Sequence, residues 1–181
     1  MFDLTHKKIV FGGGCHWCTE AVFQSLIGVT NVNQGWASHA GQDENYSEAA
    51  FIEFDPKIIP VKILLEIHLK THSSTSNHSM RDKYRSAIYV VKELDQTIIN
   101  HQLLRIQSQF KKKIKTQVLT LAKFKQNEQY QNYYYRNPEQ QFCDRYIRPK
   151  IEMLFNQYQS YIRYDKVNAC LLYTSPSPRD S

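Results

Sequence analysis

Apolar residues fall into two rhythms along this chain, one of short nearly continuous runs and one of helical spacing. Lys7 to Phe11, Val29 to Ser38, Ala49 to Phe54, Ser86 to Val91 and Thr116 to Leu121 have the length and composition of strands. Asp55-Pro56 closes the third run. Cys15 to Ile27 reads as a helix stopped by Gly28, and Pro60 to Leu69 as a second, with Val61, Leu64, Leu65 and His68 on one face. Pro60 suits the first turn of that helix, because its missing N–H would be unpaired there anyway. Glu93 to Phe110 predicts a long amphipathic helix and Arg148 to Tyr161 a closing one. The polar stretch Thr71 to Ser79 is a loop, and Tyr130 to Cys143, aromatic and interrupted by proline, is irregular.

The opening order β-α-β-β-α-β is that of the split βαβ unit. It predicts an α/β (α+β) chain: a ferredoxin-like two-layer sandwich core with helices on one face of the sheet, then an irregular segment and a helix. At 181 residues the chain fits one domain, expected to span residues 1–169. The final stretch, Cys170 to Ser181, breaks the helical pattern and resembles a translated adapter, so it is set aside as a non-native tail.

Charge changes this picture little. Lys and Arg exceed Asp and Glu by 23 to 17, and the excess gathers around Lys111, Lys112, Lys113, Lys115, Lys123 and Lys125. No aromatic-interleaved motif accompanies these lysines, so a solvated surface is expected and not a nucleic-acid face. No run approaches membrane-spanning length, and Met1 to Lys8 holds no apolar signal core. A soluble, cytoplasmic monomer is the expectation. Four cysteines are too few for a disulfide framework and suit redox chemistry.

The chemistry points to Cys15. It follows Gly12-Gly13-Gly14 and opens a helix, where unpaired backbone N–H groups and the macrodipole favour thiolate. Glu48 begins an apolar run and is expected to face Trp17, Trp36 and Tyr84, surroundings that favour a protonated carboxyl and so an acid catalyst. Tyr84, at a strand entrance, can donate its hydroxyl to a substrate oxygen. Cys143, in the irregular region, and Cys18, one turn beyond Cys15, are further sulfurs able to exchange.

Gly14-Cys15-His16-Trp17 resembles the G-C-F-W signature of the methionine sulfoxide reductase A family. Gly35-Trp36 resembles the family's G-Y pair, Tyr46-Ser47-Glu48-Ala49 its H-A-E-A, and Phe54-Asp55-Pro56 its Y-D-P. Glu66-Ile67-His68 followed by Thr71 resembles its H-D-P-T, Tyr84 to Ile88 matches its Y-R-S-A-I, and Asn137-Pro138 with Phe142-Cys143 resembles its N-P…Y-C tail. The resemblance runs from about Lys8 to Lys150. It implies that Cys15 attacks the sulfur of methionine-S-sulfoxide, free or in proteins, while Glu48 protonates the oxygen, Tyr84 assists, and Trp17 packs on the substrate methyl. It further implies that Cys15 becomes a sulfenic acid. Condensation with Cys143 would then give a disulfide that thioredoxin reduces, without metal or organic cofactor.

Four positions depart from the family pattern. His16 replaces phenylalanine and Trp36 tyrosine, both at expected substrate-binding positions, while Ser79 replaces aspartate and Tyr46 histidine. Cys18 makes Cys15-His16-Trp17-Cys18 a C-x-x-C pair, which leaves open an alternative resolving cysteine, a thioredoxin-like oxidoreductase, or a plain helix-face residue. A metal-binding module using Cys15, His16, Cys18 and His72 or His78 is the non-enzymatic alternative, although the second ligand pair of a structural zinc site is missing.

Overall fold

Strand β1 (Lys7–Gly12) carries a run buried from Ile9 to Gly12. The computed structural model describes residues 7–77, 81, 83–136 and 143–165. After β1 come α1 (His16–Gln24), β2 (Val29–His39), β3 (Gln42–Phe54), α2 (Val61–Lys70), β4 (Ala87–Val90), α3 (Asp95–Ile106), β5 (Gln117–Gln126), α4 (Tyr133–Arg136) and α5 (Arg148–Gln157). A π-helical turn, Cys143–Ile147, leads into α5. Among the described residues no helix is long and apolar enough to cross a membrane.

The sheet runs β1-β3-β2-β5-β4 and closes on itself. β1 lies antiparallel between β3 and β4, and β2 is antiparallel to β3. β5 then pairs antiparallel with β2 and parallel with β4, joining the two edges. The expected α/β class holds, and the fifth strand closes the sheet, a feature the βαββαβ order alone did not predict. Closure leaves no long unpaired edge. It also explains why the strands read as continuous apolar runs, since both faces are covered. Val10, Ala37, Ala49, Ala87 and Tyr89 form one small core with Phe51, Leu119, Leu121 and Phe124 against it. The alternate residues Ile9, Phe11, Ala50, Ile52, Phe54, Ile88 and Val90 join Phe23, Leu26, Leu64, Ile67, Ile151 and Leu154 in the larger core on the helical side.

Boundaries moved where pairing overrides local pattern. β3 starts at Gln42, well before its apolar run, because β2 pairs with it down to the turn at His39 and Gln42. β5 extends to Gln126 for the same reason, its second half lying against Gly35 to Ser38. That contact is close: a Cβ on Gly35 would sit 2.0 Å from the Lys125 carbonyl oxygen, so only glycine fits. α3 is shorter than predicted and buries only Ile99 and Ile106, leaving Leu94, Ile98 and Leu104 exposed.

Candidate active site

Cys15 sits between β1 and α1 as the N-cap residue, with φ −59° and ψ 131°. Its carbonyl accepts from the backbone N–H groups of Cys18 (3.1 Å) and Thr19 (3.2 Å), so the first helical turn fixes its position. Ahead of it, Gly13 has φ +156° and lies under the His72 ring, which a Cβ would meet at 2.4 Å. Glycine is therefore required there twice over, by conformation and by space.

Three side chains hold the far wall. Arg81 donates to the carbonyls of Gly13 (3.2 Å) and Tyr84 (2.9 Å), and also to those of Ser73 and Ser76. One guanidinium thereby ties the glycine turn to the segment that carries Tyr84. His72 donates through Nδ1 to the His68 carbonyl and accepts at Nε2 from the Ser86 hydroxyl (2.7 Å), which bonds Thr116 in turn. Its proton affinity is pushed down to about 3, chiefly by burial. His68, buried on Phe11, donates through Nε2 to the Gly12 carbonyl at 2.8 Å and is held well below the usual imidazole range by burial.

Cys15, Cys18 and Tyr84 come together on a cavity of about 400 Å³, whose other walls include Arg81, Tyr146 and Lys150. Cys15 is half-buried and Cys18 buried, and both are free thiols. Cys15 is pushed far above the ordinary thiol range, first by its hydrogen bond with Cys18, then by burial and by the negative charges of Cys18 and Glu48; the Trp17 backbone opposes this. Cys18 is drawn down, chiefly by the same bond, with the Lys150 ammonium helping against burial. The two thiols are hydrogen-bonded to each other, so their ionisation is coupled and they share one proton between them.

A second cluster adjoins through the backbone of His16, whose N–H donates to Glu48 Oε1 at 3.2 Å. Glu48 faces Trp36 across the β2–β3 ladder and is 6% exposed. The Glu48 and Ser47 backbone and hydroxyl bond the segment before β4: Glu48 N–H to Lys83 O (3.0 Å), Ser47 Oγ to Lys83 O (2.9 Å), and Arg85 N–H to Ser47 Oγ (2.6 Å). The segment that carries Tyr84 is thereby tied through its backbone to Ser47 and Glu48, although Glu48 itself does not line the cavity of Cys15 and Tyr84. The surroundings differ from the apolar pocket expected, because Lys83 Nζ lies 3.7 Å from Glu48 Oε2 and 5.1 Å from the Tyr84 ring centre.

The His16 ring is turned into the protein. Nδ1 donates to the Gly35 carbonyl at 2.8 Å, Asn127 Nδ2 donates to Nε2 at 3.3 Å, and Trp36 meets the ring edge-on at 5.1 Å. Nε2 is 3.5 Å from Glu48 Oε1. Burial pushes the ring down from the usual imidazole range, with the Gly35 carbonyl and Glu48 opposing, so it is neutral. Trp17 stacks on Tyr133 at 4.2 Å and 15°, with Tyr130 at 5.2 Å.

That aromatic wall rests on a residue the sequence reading passed over. Glu20, fully buried, accepts from Gln34 Nε2 (2.9 Å) and from the backbone N–H groups of Asn132 (2.9 Å) and Tyr133 (3.0 Å). Its position one turn after His16 on the buried face of α1 was the available signal. Arg81, Lys83 and Lys150 were missed as well, being ordinary surface residues by local pattern. The side chain of Cys143 and the residues Ser79, His78, Asn137, Pro138, Phe142 and Cys170 lie outside the described residues. Both ring nitrogens of His72 are occupied, which disfavours it as a metal ligand, and no metal-holding cluster occurs among the described residues.

The family model described as peptide methionine sulfoxide reductase matches residues 7–162. The chain is similar to the peptide methionine sulfoxide reductase MsrA of a Nitratiruptor species, 34% identical over 172 residues that cover 87% of this chain and 99% of the relative. It is also similar to the MsrA of Campylobacter jejuni, 33% identical over 162 residues, 82% of this chain and 98% of that one. In fold it resembles Mxr1 from Saccharomyces cerevisiae in reduced form, with TM-score 0.65, 22% identity and coverage of 78% and 91%. Mxr1 in complex with Trx2 matches with TM-score 0.55, 20% identity and coverage of 73% and 87%.

Proposed function

This chain belongs to the peptide methionine sulfoxide reductase family, and we propose that it reduces methionine-S-sulfoxide, free or in proteins, with Cys15 as nucleophile. The observation that carries the reading is the joining of two clusters at one helix start: a cavity holding Cys15 and Tyr84, and a buried carboxyl, Glu48, bonded to the next backbone N–H. The Cys15 sulfur attacks the sulfoxide sulfur while Glu48 delivers a proton to the oxygen and Tyr84 donates a hydrogen bond to it. The oxygen passes to Cys15 as a sulfenic acid and methionine leaves. Trp17, held flat by Tyr133, packs on the substrate methyl, and Trp36 and His16 close the site behind Glu48.

An intramolecular disulfide then restores the sulfur, and thioredoxin, the class of protein bound to Mxr1 in one similar structure, recycles it. The family resemblance assigns the resolving sulfur to Cys143, with Cys18 as alternative. Residues 1–169 form the catalytic unit, working on oxidised methionine in the cytoplasm. The test is steady-state turnover of a sulfoxide peptide with thioredoxin, comparing the two epimers and the variants Glu48→Gln and Tyr84→Phe. Removing a positioned acid costs about 10²–10⁴-fold in rate. Turnover of the R epimer alone, or a Glu48→Gln variant as fast as the parent, overturns the assignment.

A further inference from the structure

We infer that the surface around Glu48 selects oxidised methionine with acidic neighbours in its peptide, through the ammonium groups of Lys83 and Lys125. This deepens the reading that the chain reduces methionine sulfoxide at Cys15 and Glu48, and rests on it. Trp36 of β2 is paired with Glu48 of β3 on one side and with Lys125 of β5 on the other. Directly paired residues point to the same face of a sheet, so the three side chains form one row. Glu48 lies two residues before Ala50, which packs in the larger core with Phe23, so the row is on the face that carries α1. Along it the side chains rise from the buried Glu48 through the half-buried Trp36 to the exposed Lys125. Lys83 flanks the acid from the opposite direction: its carbonyl accepts from the Glu48 N–H on the edge of β3 away from β2, and its Nζ lies 3.7 Å from Glu48 Oε2.

Both cations are open to an incoming chain. The Lys125 ammonium lies on the Tyr46 ring, 4.3 Å from its centre, and has no ion-pair partner among the described residues, because Glu44 on the same face is bonded to Lys123. Lys83 is 58% exposed and its one acid, Glu48, sits below it. The spacing suits a peptide. Neighbouring strands are about 4.8 Å apart, which sets the Lys125 backbone about 10 Å from that of Glu48. An extended chain advances about 3.3–3.6 Å per residue, so a residue about three places from the bound sulfoxide stands over Lys125, while one nearer on the other side meets Lys83. An aspartate or glutamate there meets a cation, and a lysine there is repelled. Each exposed pair changes affinity by up to about fivefold. The effect belongs to peptide binding, and so to KM more than to kcat. Free methionine sulfoxide is too short to reach Lys125 and gains little.

The experiment measures kcat/KM of the full chain, recycled with dithiothreitol, on three peptides of equal length that each hold one methionine-S-sulfoxide flanked by glutamate, by serine or by lysine. The readout is the glutamate-to-lysine ratio, which does not depend on how much of a variant is folded. The parent is expected to favour the glutamate peptide by about fivefold, through KM, and to lose most of that preference at about 0.5 M salt. Lys125→Glu and the milder Lys125→Gln are expected to cut the ratio by at least about half. Lys57→Glu is the control: it makes the same charge change as Lys125→Glu at an exposed turn beyond the far end of β3, about 20 Å along the strand from Glu48. Its ratio stays at the parent's value. A parent ratio near one with the serine peptide turned over, Lys125 variants that keep the parent's ratio, or a Lys57→Glu ratio that falls as far as theirs overturns the inference and leaves the reductase reading intact. No turnover of any of the three peptides overturns both.

Discussion

Replacing Glu20 with alanine tests whether the buried polar network beneath α1 holds the substrate wall. The Glu20 carboxylate accepts three described hydrogen bonds at 2.9 to 3.0 Å, two of them from the backbone of the turn that carries Tyr133. Hydrogen bonds to a charged group contribute about 1.5–3 kcal/mol each, and truncation takes the acceptor from all three, with Gln34 Nε2 keeping only the Tyr130 carbonyl. Allowing for partial relaxation, the loss of stability is about 3–5 kcal/mol. That corresponds to a fall in Tm of roughly 10 °C for a chain of this size. Function should suffer separately from folding, because the turn also fixes Tyr133 against Trp17 at 4.2 Å. Loss of one such stack is worth about 1 kcal/mol, or roughly fivefold in KM, with kcat less affected. Urea unfolding and steady-state kinetics on Glu20→Ala and Glu20→Gln read both effects. A stability loss below about 1 kcal/mol for Glu20→Ala would refute the reasoning, since it would mean the stranded donors find other partners at no cost.

The buried neutral histidines make stability depend on acid. His72, lowered to about 3, contributes stability that is complete above the unfolded imidazole value near 6.5 and is lost as pH falls toward 3. At pH 5 that loss is about 2 kcal/mol from His72 alone, and His68 and His16 act with the same sign. Urea midpoints at pH 7 and pH 5, on the parent and on His72→Asn, check this; a parent whose stability is the same at both values contradicts it. His16→Phe is expected to destabilise by about 1–3 kcal/mol despite the more apolar ring, because the Gly35 carbonyl loses the Nδ1 donor and the Asn127 amide keeps only Gln34 Oε1. A denaturation midpoint that rises instead would show that the ring nitrogens contribute nothing.

Cys15 was legible as the candidate nucleophile because its signals are local: three glycines, a cysteine and a helix start lie within a few residues. Tyr84 and Glu48 were found as members of short ordered motifs, yet the segments that carry them are joined by the Ser47 and Lys83 bonds between β3 and the stretch before β4. Nothing local announces such bonds. The closed sheet was missed for a related reason: its last joint is the pairing of Trp36 to Ser38 with Lys123 to Lys125, a contact between residues far apart in sequence whose second half lacks an apolar pattern. Arg81 and Lys150 look like solvated charges until the fold points one at the carbonyls of Gly13 and Tyr84 and bonds the other to the Thr71 carbonyl on the wall of the pockets that Cys18 borders. The coupling of Cys15 to Cys18 comes from a bond between the two thiols, which the helix start alone does not announce.

The claim on which the account stands is that the Cys15 sulfur takes the oxygen from the sulfoxide. Its most direct measurement is methionine released in a single turnover without added reductant, from each pure epimer, by the parent and by Cys15→Ser. The account predicts about one methionine per parent chain from the S epimer and none from Cys15→Ser. Methionine released by Cys15→Ser at the parent's level would contradict it.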